Sequence, residues 1–123
     1  MGKRSRRRGA VDALAAPESE YRSAGGDVLV LRGAMTPKTR REYAAAAGGG
    51  TGGAGSREDA WQRAVEFLFE RLAVRWEIAG TPPITKQKEL LGRFRFATAD
   101  ERRWIRDVLR EHLAEHFPDV DAP

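Results

Sequence analysis

A glycine run at Gly48–Gly55, six glycines in eight positions, divides this chain into two parts of unlike character. All three tryptophans and all five phenylalanines follow it. A glycine-rich stretch has no side chains to pack and loses much backbone entropy on ordering, so it reads as a flexible linker. The residues able to build a core therefore lie mainly in Ser56–Pro123. A unit of that size buries only about 60% of its unfolded-chain surface and is marginal. With no cysteine in the chain, neither a disulfide nor a thiolate metal site can brace it. Either residues before the linker join the core, or the chain pairs with a partner.

Charge is distributed as unevenly as bulk. Residues 1–55 carry ten basic and five acidic groups, while residues 56–123 carry twelve and thirteen. The excess sits on a basic N-terminal stretch (Lys3, Arg4, Arg6, Arg7, Arg8), which is where polyanions would be attracted. No apolar run reaches membrane-spanning length, and no signal-type apolar segment follows the basic residues. A cytoplasmic protein is expected.

Residues 1–26 show no apolar period and read as a disordered basic tail. Asp27-Val-Leu-Val-Leu-Arg-Gly33 is the best strand candidate. Thr36-Pro37 opens a short helix that Gly48 stops, Thr36 serving as cap and Pro37 as first helical residue. After the linker, Trp61, Val65, Leu68, Leu72 and Trp76 recur at steps of three and four, the stripe of an amphipathic helix starting at Ser56. Ala73-Val-Arg-Trp-Glu-Ile78 fits period two as well as a helix; the helix is preferred, with a strand pairing to Val28–Leu31 as alternative. Gly80-Thr-Pro-Pro83 breaks the chain. A two-turn helix over Thr85–Leu91 ends at Gly92, and Phe94-Arg-Phe96 falls in a connector. Thr98-Ala-Asp-Glu101 is a capping box opening a last helix with Trp104, Ile105, Val108, Leu109, His112 and Leu113 on one face. The division expected is thus tail 1–26, strand plus helix 27–47, linker 48–55 and helical domain 56–123. The fold class is mostly α, three to four helices with room for one short strand or a two-stranded pairing.

Chemistry-bearing motifs are few. His112-Leu-Ala-Glu-His116 has the spacing of one zinc-protease class, but only seven residues follow His116, too few for the downstream third ligand that chemistry needs. The glycine run lacks the Gly-Lys-Ser/Thr ending of a phosphate loop. No serine stands in a nucleophile-elbow context. No catalytic residue, cofactor site or metal site is therefore expected. Aromatic residues outnumber what one helical face can hide, which marks Phe67, Phe69 and Trp76 as partner-binding anchors. A basic cluster, Arg93, Arg95, Arg102, Arg103, Arg106 and Arg110, interleaves with Phe94 and Phe96 and could grip phosphates.

The layout resembles small tail-assembly proteins and tail-assembly chaperones of actinobacterial phages and prophages. The likeness lies in a strand closing on arginine (Val28–Arg32), a threonine-led basic helix (Thr36–Tyr43) and a variable linker. A long helix then leads into Trp76-Glu-Ile-Ala-Gly80, and Pro83-Ile-Thr85 precedes a closing helix. It spans about 90 residues. The resemblance implies a protein that holds a partner and performs no catalysis. The expected function is accordingly a non-catalytic interaction or assembly module whose partner is another protein or a second copy of itself. A nucleic-acid-binding protein acting through phosphate contacts is the alternative.

Overall fold

The computed structural model describes residues 17–48 and 54–123, and side chains from Arg57 onward in the second stretch. The basic residues Lys3–Arg8 and the centre of the glycine run lie outside the described residues.

Seven elements follow one another. They are β1 (Glu18–Arg22), β2 (Val28–Arg32), α1 (Pro37–Ala47), α2 (Ala54–Leu72), β3 (Ala73–Glu77), α3 (Gln87–Arg95) and α4 (Ala99–His116). The strands form one antiparallel sheet in the order β1-β2-β3, with Val28–Arg32 in the middle. The strand content exceeds the single strand or pairing expected from sequence, and two readings are corrected by it. Residues 18–22, assigned to the disordered tail, form an edge strand. Residues 73–77, preferred as helix, form a strand.

The continuous apolar run of β2, Val28–Leu31, makes it the natural centre of the sheet, because a central strand must tolerate burial on both faces. Val28, Leu29, Val30 and Leu31 are all buried. Leu29 stands between Tyr21 and Trp76 across the ladder, and Leu31 between Ser19 and Ala73. These residues face the helices. On the opposite face Val30 lies between Glu20 and Arg75, and Val28 between Arg22 and Glu77. Arg75 reaches Glu20 at 3.6 Å and Glu77 at 3.1 Å, so an ion-paired lattice covers the two valines where no helix does. Val74 is the extra residue of a bulge opposite Val30 and Leu31. The β1–β2 turn needs Gly26, whose φ of +93° suits glycine and little else.

The helices pack on the inner face as the second layer of a two-layer domain. Leu68, Phe69 and Leu72 of α2, Leu90 and Phe94 of α3, and Ile105, Leu109 and Leu113 of α4 join Leu29, Leu31, Tyr43 and Trp76 in one cluster. Residues on both sides of the linker therefore share one core. Phe69 stacks on Phe94 with ring centroids 4.7 Å apart and meets Trp76 edge-on at 5.6 Å. Phe94 thus belongs to a helix that runs through Gly92, whereas sequence reading ended that helix at Gly92 and left Phe94 in a connector. No described helix is long and apolar enough to cross a membrane.

The capping box at the start of α4 is fully formed. Thr98 Oγ1 accepts from the Glu101 amide at 3.1 Å, and Glu101 returns a carboxylate to the Thr98 amide at 2.8 Å. Burial opposes ionisation of Glu101, but those bonds and the Arg93 guanidinium at 2.7 Å hold its carboxyl below the usual carboxylate range. Thr98→Ala should cost about 1 kcal/mol in a thermal or urea unfolding experiment. An unchanged midpoint would show that α4 is held by packing alone.

Candidate interaction groove

Two of the three expected anchors are absent from the surface. Phe69 and Trp76 have no exposed area and lie at the centre of the core. Their bulk is hidden because the sheet supplies a second surface for α2 to pack against. Phe67 is half-buried, tilted against Tyr43 at 6.4 Å and covered by the Arg71 guanidinium at 5.1 Å. Among the described residues the large apolar side chain left in solvent is Phe96, 86% exposed, on the turn between α3 and α4.

The arginine cluster is largely engaged within the chain. Arg93 pairs with Glu101 and lies over the Trp76 ring at 5.1 Å. Arg95 pairs with Glu66 at 2.9 Å, and Arg110 donates to the Pro123 carbonyl at 2.8 and 3.1 Å. Arg102 covers Phe94 at 5.0 Å and donates to the carbonyls of Arg95 and Ala97, closing the end of α3. Arg103 meets Asp100 at 3.5 Å, and Arg106 meets Glu58 at 3.7 Å.

Three of those six arginines converge on one feature. A groove of about 560 Å³ runs between α2 and α4. Glu58, Trp61, Gln62 and Val65 line it from α2, and Ala99, Arg102, Arg103 and Arg106 from α4. Both sets follow i, i+3, i+4, i+7, so each helix contributes one two-turn stripe. Phe94 forms the floor. Glu58, near the start of α2, meets Arg106 in mid-α4, and Phe69, near the end of α2, stacks on Phe94 just before α4. The two helices therefore run antiparallel along the groove. Arg102 ties its Ala99 end to the turn that carries Phe96.

Sequence reading placed Trp61 and Val65 on the buried stripe of α2. They were not recognised as groove wall because the position of α4 relative to that stripe is a tertiary fact. The available signal was the matching four-residue spacing on two helices, mixed on α2 (Glu58, Trp61, Gln62, Val65) and mostly basic on α4 (Ala99, Arg102, Arg103, Arg106).

The histidine pair serves a structural purpose. His112 is fully buried, and its Nε2 lies 2.8 Å from the Arg32 carbonyl. A carbonyl only accepts, so Nε2 carries the proton and Nδ1 accepts from Tyr21 OH at 2.8 Å. Burial pushes the His112 imidazole below its ordinary pKa, outweighing the Arg32 bond that favours protonation. His116 meets Ser19 Oγ at 2.9 Å. The two side chains on β1 that point inward are thus each fastened to one histidine of α4. Among the described residues no three His, Asp or Glu side chains converge as a metal-binding set.

No protein-family model matches this chain, nor does any curated protein or solved structure.

Proposed function

We propose that this protein is a non-catalytic interaction module that holds a segment of another protein in the groove between α2 and α4. The observation that carries the reading is the open groove itself. Its partly exposed Trp61, above the buried Val65 and Phe94, stands on the same side as the arginines of α4, on a domain whose other aromatic side chains, the exposed Phe96 apart, are largely packed. Concave surfaces of this kind, with aromatic and arginine side chains together, are the usual setting of binding hot spots. The layout shared with phage-type tail-assembly proteins favours an assembly role, in which a small factor holds a larger partner. Phosphate binding through the arginine cluster is less well supported. Three of its six arginines, Arg93, Arg95 and Arg106, already meet carboxylates on other elements of the chain.

The test is a photo-crosslinking amino acid at the exposed Gln62, in the full chain and in its native cell. A defined crosslinked partner should appear from position 62 and not from exposed Arg22 on the outer face of the sheet. It should disappear when Trp61→Ala and Phe96→Ser are introduced together. Equal crosslinking from both positions, or crosslinking indifferent to those substitutions, would remove the groove as the docking site.

A further inference from the structure

We infer that the occupant of the α2–α4 groove is an acidic, amphipathic helical segment of a partner protein. Its carboxylates would lie on Arg102 and Arg103 and its apolar residues on the partly exposed Trp61 ring. This rests on the docking role of the groove and names what docks there.

Shape comes first. Each wall presents residues at i to i+7, a length of about 10 Å, which matches two turns of a third helix anchored at the same spacing. Charge decides the rest. Three guanidiniums line the groove against one carboxylate, Glu58, and that carboxylate sits at the Arg106 end. At the other end Arg102 meets no carboxylate: it donates to main-chain carbonyls and lies over the Phe94 ring. Arg103 has only Asp100, whose side chain is 92% exposed and 3.5 Å away, an ion pair that water and salt readily replace. Positive charge held by no carboxylate, or only by an exposed one, therefore stands beside the Trp61 ring. The chain's own N-terminal residues are a poor occupant, since Lys3–Arg8 carry the same sign. A polyphosphate chain suits the groove less well. It would meet Glu58 at one end and would leave the partly exposed Trp61 ring without an apolar partner.

Labelled amphipathic peptides of about 15 residues serve as probes. One carries Glu beside a leucine stripe, one Gln and one Lys at the same positions. They are titrated with the full chain and followed by anisotropy at low and physiological salt, beside single-stranded and duplex oligonucleotides. The Glu peptide should bind tightest and weaken with salt, the Gln peptide about tenfold more weakly, as two or three exposed ion pairs imply. The Lys peptide should not bind. Arg103→Glu should erase the preference for Glu over Gln, with circular dichroism confirming that the variant is folded. Arg102→Glu is the second variant.

Equal affinity for Glu and Gln peptides would overturn the inference while leaving the groove a docking site. A Glu-peptide affinity indifferent to Arg103→Glu would overturn it too, as would tighter binding of an oligonucleotide. Failure of every peptide to bind would also overturn it; the Gln62 crosslink then decides separately whether the groove docks anything.

Discussion

Trp76→Ala should destabilise the protein by about 3–5 kcal/mol, the largest effect expected of any single substitution here. Small domains have about 5–15 kcal/mol in total, so the variant loses a large part of its stability and unfolds well below the parent midpoint. Trp76 has no exposed area and stands beside Leu29 in the ladder, edge-on to Phe69 and under the Arg93 guanidinium. Alanine would open a cavity where the sheet, α2 and α3 meet. Trp76→Phe offers the control. The indole Nε1–H has no hydrogen-bond acceptor among the described residues, so losing it removes a buried polar group with no bond to forfeit. Phenylalanine should therefore cost less than about 1.5 kcal/mol. Urea unfolding followed by far-ultraviolet circular dichroism reads both. Equal losses from alanine and phenylalanine would show that ring volume is not what Trp76 contributes.

Acid should loosen the join between β1 and α4 through His112. Its imidazole is held neutral in the folded state below the ordinary histidine pKa, because burial disfavours the cation. The unfolded chain takes up a proton near pH 6.5 and the folded chain does so only at lower pH. His112 therefore contributes its full share of stability above about pH 6.5, and that share is lost as pH falls toward the folded value. Protonated Nδ1 would also become a donor facing Tyr21 OH, whose ionisation burial already opposes. The carboxyl of Glu101 acts in a separate, more acidic window, since its pKa is depressed below the ordinary carboxylate value. His112→Leu should cost about 1–3 kcal/mol at pH 7.5, because it leaves the Tyr21 hydroxyl and the Arg32 carbonyl without the partner that the ring supplies to both. It should also flatten the fall of stability below about pH 6.5. A variant that keeps the parent slope in that interval would assign the titration to another group.

How far the fold could be read in advance depended on whether a segment's signal was local. The capping box at Thr98 and the apolar face of α4 could be read because a cap and a helical period each lie within one element. Val28–Arg32 was legible because a short apolar, partly β-branched run bounded by glycines has few other uses. The strand at Ala73–Glu77 was not, since its spacing satisfies both periods and only the pairing with β2 decides between them. β1 was hidden more deeply. As an edge strand it turns Glu18, Glu20 and Arg22 to solvent and only Ser19 and Tyr21 inward, so its composition matches a tail. Missing the sheet led directly to the wrong anchors. Counted against one helical face, Phe69 and Trp76 looked surplus; counted against a helix and a sheet together, they are the core.

The junction of α2 and β3 has no connecting residue, for Leu72 ends the helix and Ala73 begins the strand. A helix turns its side chains by about 100° per residue and a strand by about 180°. The two are geared at this seam: the phase of Phe69 on the helix fixes which face of the sheet receives Trp76. One residue gained or lost there would send the indole to the charged side and bring Arg75 inward. Length can drift at the turns of this domain, but at Leu72–Ala73 the reading of one periodicity is the starting condition of the next.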